Sequence, residues 1–204
     1  MPYSASTFDS TLAGHIYNIK PTSILDIGIG AGKNGKLIRQ SGYIGKLDGV
    51  EPTQSYREYF DTASIYDTIY PMDLQTFVNT EYRFSYDTVI FGDVLEHFFR
   101  SQVIDYIDYF LYKCKWLIII WPSNMPQHDW GNNHYEIHKS NFTINDLTQK
   151  FNVEFYAKQF MSFHNDDPHY ADAYINYTVL KGHMTGRHES LYDFQHWNES
   201  LFDK

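Results

Sequence analysis

Three groups of residues have the types and spacing from which a reaction centre can be built. The first is Asp26-Ile27-Gly28-Ile29-Gly30-Ala31-Gly32, with Glu51 following further on. Glycines let the chain turn sharply and let a ligand lie against bare backbone. A helix opening after them offers free N–H groups, and a carboxylate ending the next strand can accept both hydroxyls of a ribose. The second group is Gly92-Asp93-Val94-Leu95-Glu96-His97. Its imidazole, with a free-solution pKa of about 6.5, suits proton transfer at neutral pH. The third is the polar, aromatic run Pro126–His138, with His128, Trp130, His134, Tyr135, Glu136 and His138. Long polar loops in compact domains usually serve function, so this run reads as a substrate wall formed by His128, Trp130, Tyr135 and Glu136. If it is extended, His134, Glu136 and His138 share a face and can hold a metal; on a helix they do not align.

Strands and helices must carry these groups. Ser23 to Ile27 reads as a buried strand running into the glycines, and Lys33 to Gln40 as the helix after it. Lys46 to Val50 and Tyr86 to Phe91 read as strands, Ser64 to Tyr70 as a weaker one, and Trp116 to Trp121 as a strand stopped by Pro122. Ser55 to Phe60 and Ser101 to Tyr112 carry helical patterns, the latter through Val103, Ile104, Ile107, Phe110 and Leu111. Thr143 to Lys150 follows a cap at Thr143 or Asn141. Val153 to Ala157 and Ala173 to Leu180 close the sheet as an antiparallel pair. Alternating strands and helices make βαβ units. The expected fold is α/β: a Rossmann-like, doubly wound, mostly parallel sheet with an antiparallel C-terminal strand pair. A single domain spans 1–204, with an N-terminal cap helix region (1–22), a cofactor-binding core (23–121), a substrate loop (122–141) and a tail (183–204) that is either a docked helix or mobile.

The formal net charge of −9, from 16 basic and 25 acidic residues, argues against tight binding to a nucleic-acid backbone. One cysteine, Cys114, excludes an internal disulfide and fits a reducing compartment. No apolar run is long enough to cross a bilayer, and the N-terminus lacks a basic-then-apolar signal pattern. The expected location is the cytoplasm, away from membranes. The oligomeric state is not legible.

Three cofactor classes compete for the glycine loop. A phosphate-gripping P-loop needs four residues between its glycines, then Lys and Ser or Thr. Three residues separate Gly28 from Gly32, and Asn34 follows Lys33, so that reading fails. Gly30 to Gly35 does spell the dinucleotide pattern G-x-G-x-x-G, but Asp26 would repel a pyrophosphate while suiting an ammonium. A ligand with an ammonium, a ribose and no phosphate is S-adenosylmethionine. On DIGIGAG at Asp26–Gly32, the acidic Glu51 and GDVLEH at Gly92–His97, the chain resembles the class I S-adenosylmethionine-dependent methyltransferases over residues 20 to 125. The resemblance implies that Asp26, Gly28, Gly30 and Gly32 hold the methionine part and Glu51 the ribose. It implies that Met72, Asp73 and Leu74 flank the adenine, and that Gly92, Asp93 and Val94 complete the cofactor site. Asp73 reads equally well as the cap of a following helix.

Within that resemblance, the Asp-Pro-Pro-aromatic motif of amino-methylating DNA enzymes is missing. So is the Pro-Cys nucleophile of cytosine C5 enzymes, since Lys113 precedes Cys114. The expected reaction is methyl transfer to an oxygen of a small polar substrate, such as a sugar or a carrier-linked metabolite. His97 is the expected base, with His128, His134 and His138 as competitors and a rate that rises with pH through the imidazole titration. Glu96 reads mainly as an acidic residue in a first helical turn. Metal-dependent RNA 2′-O-methyltransferases use a Glu-x-x-Glu-His set plus a later His, which Asp93, Glu96, His97 and His134 match in part. The leading expectation is still no metal, with activity that survives a chelator. The remaining alternative is a cofactor-binding protein without catalysis.

Overall fold

The computed structural model describes residues 5–80, 85–129, 132–161 and 172–184. Seven strands form one sheet: β1 (Ser23–Ile27), β2 (Lys46–Val50), β3 (Thr68–Tyr70), β4 (Tyr86–Gly92), β5 (Cys114–Ser123), β6 (Val153–Phe160) and β7 (Tyr174–Lys181). Their order is β3-β2-β1-β4-β5-β7-β6. The first five run parallel, and β7 is antiparallel to both β5 and β6. The expected mostly parallel sheet with an antiparallel C-terminal pair is the one observed.

The sheet is covered on both faces, so its central strands are almost wholly apolar. Side chains alternate across a strand. Leu25 and Ile27 of β1 enter one core layer while Ile24 enters the other. The first layer is closed by α4 (Leu74–Thr80), α5 (Arg100–Leu111) and α6 (Ile144–Thr148), through Phe77, Ile107, Phe110 and Leu147. The second is closed by α1 (Asp9–Ile19) and α2 (Lys33–Gln40), through Leu12, Ile16 and Ile38. Val103, Ile107, Phe110 and Leu111 recur at helical spacing and are all buried. The short α3 (Gln54–Tyr59) buries none of its residues.

Some boundaries differ from expectation. β3 starts at Thr68 because residues Thr62–Ser64 form a 3₁₀ turn. β5 runs through Pro122 instead of stopping there. Its pairing with β4 ends at Ile120, whereas pairing with β7 continues through Pro122 and Ser123. The ring's missing N–H therefore falls where β4 no longer asks for a donor. α6 is capped at Thr143, whose N–H donates to the Asp146 carboxylate at 2.8 Å. Of the tail, His183 and Met184 donate to carbonyls of Leu111 and Cys114; residues 185–204 lie outside the described residues. No helix among the described residues is long and apolar enough to cross a membrane.

The strand order reverses between β1 and β4. In such sheets, ligands bind in the crevice outside the carboxyl ends of the strands, at this switch point. Both the glycine loop, which leaves β1, and the Gly92–His97 segment, which leaves β4, lie there.

Candidate functional site

β1 ends in a loop held to its neighbour: Gly28 and Ile29 N–H groups donate to the Val50 carbonyl at 2.8 and 3.2 Å. Gly28 has φ +70°, and a Cβ there would collide with the Val94 side chain. Glycine is thus required at Gly28 both by conformation and by the close approach of the β4 segment. Gly32, with φ +73°, packs towards Ile65 instead. Glu51 ends β2 nearly buried, at 5% exposure. Its Oε2 accepts the Gly30 N–H at 2.9 Å and its Oε1 the Thr53 N–H at 2.8 Å. Burial pushes its pKa up, and these N–H bonds hold it back.

Asp26 departs from the expected role. It is 1% exposed and sits behind the loop, where the Tyr66 hydroxyl donates to its Oδ2 at 2.7 Å and accepts the Gly35 N–H at 3.2 Å. Burial pushes its pKa up to about 7, offset in part by Tyr66 and Asn34. Asp26 therefore braces the glycine loop from beneath; it does not face the cavity in front of it.

That cavity has a volume of about 400 Å³ and is lined on one side by Gly28, Gly30, Glu51, Asp73 and Leu74, a size suited to a cofactor or drug-sized ligand. Gly92, Asp93, Val94 and His97 line its other side, and His134, Tyr135 and Glu136 its outer rim. Asp73 lines the cavity and also caps α4, its Oδ1 accepting the Thr76 N–H at 2.7 Å. Met72 packs against the core, with Thr80 Oγ1 at 3.6 Å from its sulfur, and does not line the cavity. Gly32 is not part of the lining either.

The β4 side turns tightly after Gly92. Asp93 adopts φ +54°, a left-handed conformation uncommon for a non-glycine residue and frequent at functional sites. Leu95–His97 then forms a 3₁₀ turn. The loop after β5 closes onto this turn: Lys139 and Ser140 N–H groups donate to the Glu96 carbonyl at 2.8 and 3.1 Å. The closure brings His138 to Glu96. The Nε2 atoms of His97 and His138 lie 3.9 and 4.0 Å from Glu96 Oε1, and the two rings meet edge-on at 4.9 Å. Glu96 is 1% exposed, against the expectation of an ordinary acidic residue in a first helical turn, and neither carboxylate oxygen has a hydrogen-bond partner in another of the described residues. Burial and the charge of Asp93 push its pKa well above the usual carboxylate range. Burial and the neighbouring His138 push His97 down to about 4, and burial lowers His138 as well. These shifts favour neutral forms, so the 3.9 and 4.0 Å spacings mark convergence and not a charged pair. An imidazole held near 4 does not supply the expected titration near neutrality.

The rest of the loop divides. Residues His134–Glu136 form a 3₁₀ turn, so neither the extended nor the helical alternative describes them. His134 is exposed at the cavity rim, apart from the Glu96 cluster that was expected to include it. Glu136 is buried and accepts the Tyr56 hydroxyl at 3.0 Å. His128 is exposed and does not line the cavity, and Trp130 lies outside the described residues. Tyr66, Tyr56 and Asn133 were not foreseen. Asn133 Nδ2 donates to the Tyr56 hydroxyl at 3.2 Å, linking the loop to α3; lone tyrosines in a Tyr-rich chain carry no spacing signal. Cys114 is fully buried and its thiol pKa is pushed up by burial, which removes it as a nucleophile.

No family profile matches the chain, and no curated protein is similar to it in sequence. Solved structures are similar in fold. The magnesium protoporphyrin IX methyltransferase of Synechocystis PCC 6803 with bound S-adenosylmethionine has TM-score 0.61 at 16% identity, covering 87% of this chain and 78% of that one. The plantazolicin methyltransferase BpumL in complex with S-adenosylhomocysteine has TM-score 0.58 at 14% identity, covering 85% and 82%. The Thermoplasma acidophilum protein 1320 has TM-score 0.60 at 13% identity, covering 88% and 90%. The sheet order, the glycine loop at the switch point and these likenesses agree: the chain has the class I S-adenosylmethionine-dependent methyltransferase fold.

Proposed function

We propose that the chain is an S-adenosylmethionine-dependent methyltransferase that acts on an oxygen of a small polar substrate such as a sugar or a carrier-linked metabolite. One observation carries the cofactor reading. Glu51 is fixed at the end of β2 by Gly30 and Thr53, and an ionised carboxylate has about four acceptor sites. Two are taken by the Gly30 and Thr53 N–H groups and the Thr53 hydroxyl bears on the same carboxylate, which leaves an acceptor site for a hydroxyl of a ribose in the adjoining cavity. Gly28 and Gly30 would hold the amino-acid part, and Asp73 and Leu74 the adenine. Bound there, the cofactor supplies an electrophilic sulfonium methyl.

The chain's own work is then alignment and proton removal. Tyr135 and Glu136 form the rim that receives the substrate, with Tyr56 and Asn133 fixing Glu136 and its turn. His134, exposed on that rim, takes the hydroxyl proton as the oxygen–carbon bond forms, the role expected of His97. His97 and His138 are committed by their contacts with Glu96. The acidic chain disfavours a nucleic-acid substrate.

Calorimetry is the first test. S-adenosylmethionine and S-adenosylhomocysteine should bind and NAD should not; tighter NAD binding would overturn the proposal. With a panel of hydroxylated substrates, His134→Ala should keep cofactor affinity and lower the transfer rate by roughly 10²–10⁴-fold. A His134→Ala enzyme with full turnover would remove that assignment.

A further inference from the structure

Glu96, His97 and His138 offer three ligand atoms that all lie within 4.8 Å of one another. His97 Nδ1 lies 3.2 Å from the Ile137 carbonyl, and His138 Nδ1 lies 2.6 Å from the Met125 carbonyl. A carbonyl only accepts, so in both rings Nδ1 carries the hydrogen and Nε2 of the neutral imidazole carries a lone pair. Both Nε2 atoms face Glu96 Oε1, and neither Glu96 oxygen finds a donor from another of the described residues. Among the described residues no donor reaches these three groups, and the proton that a neutral Glu96 would carry stands 3.9 and 4.0 Å from the ring nitrogens, beyond hydrogen-bond reach. Buried polar groups are normally satisfied, so this arrangement asks for a cation.

We propose that Glu96, His97 and His138 bind a divalent transition-metal ion whose open coordination positions take a substrate oxygen. Two imidazoles and one carboxylate form a ligand set found for zinc and related ions at sites with open positions. The backbone carbonyls on Nδ1 fix each tautomer and ring orientation, as outer partners do at established metal sites. With metal–ligand distances of about 2.1 Å, tetrahedral ligands stand about 3.4 Å apart. The carboxylate–imidazole spacings of 3.9 and 4.0 Å therefore need a contraction of several tenths of an ångström, and the full spread of 4.8 Å one of more than an ångström, which rotation of side chains on a turn and a loop can supply. His97 also lines the cavity, so the open positions face the place where a substrate would lie. A cation there polarises a bound hydroxyl and makes it easier to deprotonate, which replaces the expectation that activity survives a chelator. The metal site stands by itself; only the substrate-oxygen role rests on the methyltransferase reading.

The full chain, stripped with a chelator and dialysed, is titrated separately with Zn²⁺, Co²⁺ and Mn²⁺ in a calorimeter, and its absorption is recorded with Co²⁺. Saturable binding of one equivalent and ligand-field bands of a nitrogen- and oxygen-bound cobalt are expected. Glu96→Gln and His138→Gln should each weaken cation binding by more than about tenfold, with S-adenosylhomocysteine affinity and circular dichroism unchanged. Should a variant fail to fold, anomalous scattering from a cobalt-soaked crystal of the parent gives the answer: an ion between the three side chains supports the site. No binding of any of the three cations, an ion located elsewhere, or a Glu96→Gln chain that binds as tightly as the parent would overturn it. Cation binding without S-adenosylhomocysteine binding would sink the methyltransferase reading and leave the metal site standing. The converse result would remove the metal site alone.

Discussion

Glu51 and Glu96 are both buried carboxylates at strand ends flanking the same crevice, yet they are treated in opposite ways. Glu51 accepts two backbone N–H groups from other residues; among the described residues Glu96 has none, with only its own N–H bearing on the carboxyl, and it faces two imidazole nitrogens. A buried carboxylate without donors costs several kcal/mol unless it is neutralised or paired. Around Glu51 the β1–β2 side is therefore complete as it stands, and a ligand there adds hydrogen bonds to a finished frame; beneath it, Asp26 Oδ1 has no partner among the described residues. The β4–β5 side is finished only by something positive. Preorganised binding and unmet demand are two ways to build a site, and this crevice uses one on each wall.

Asp26 tests how finished the first wall is, and it carries the largest expected effect. Its pKa is about 7 in the fold, against an ordinary 3.8. Between those values the folded chain binds more proton than the unfolded one, so this group makes stability fall as pH rises from about 4 to about 7. At roughly 1.4 kcal/mol per pKa unit the total is a few kcal/mol. Asp26→Asn should remove that slope. Urea denaturation at several pH values should therefore show the parent losing stability relative to the variant as pH rises to 7, with a constant difference above. A difference independent of pH would mean that Tyr66 and Asn34 satisfy Asp26 as fully as Gly30 and Thr53 satisfy Glu51.

Glu51→Ala sharpens the comparison next. Removing a charged acceptor of hydroxyls should weaken S-adenosylhomocysteine binding by roughly 1–3 kcal/mol, as read by calorimetry, while leaving cation binding at Glu96 as in the parent. Loss of both would show that the two walls are one cooperative unit.

The first wall was legible in the sequence because its chemistry is local. DIGIGAG is a contiguous run, Glu51 ends the next strand, and apolar runs alternating with helical patterns dictate the doubly wound sheet that joins them. The second wall was only half legible. Glu96 and His97 are adjacent, but their partner is set by how the loop after β5 folds back. Lys139 and Ser140 bond to the Glu96 carbonyl and bring in His138, while the 3₁₀ turn at His134–Glu136 sends His134 to the rim. No periodicity encodes that choice. Asp26 misled for a related reason: spacing shows a carboxylate at the strand end but not which side of the loop it faces, and Tyr66 that holds it lies 40 residues away.

The smallest effect is the most discriminating, because its sign differs between the walls. In the metal-free chain at a pH where Glu96 is ionised, Glu96→Gln replaces a carboxylate that has no donor from another described residue by an amide of the same shape whose NH₂ can donate to an imidazole Nε2. The variant should be more stable than the parent by about 0.5–1.5 kcal/mol, the net worth of a buried hydrogen bond. Glu51→Gln does the reverse. It brings an NH₂ to Gly30 and Thr53, which are themselves donors, and should cost a similar amount. Thermal melts in chelator read both signs. Adding Zn²⁺ should then raise the parent's melting temperature with concentration, because a ligand that binds only the folded state stabilises it by mass action. The Glu96→Gln melt should stay fixed and the Glu51→Gln melt should rise as the parent's does. If Glu96→Gln were the less stable protein in chelator, Glu96 would have to be satisfied within the fold, and the contrast between the two carboxylates would fall.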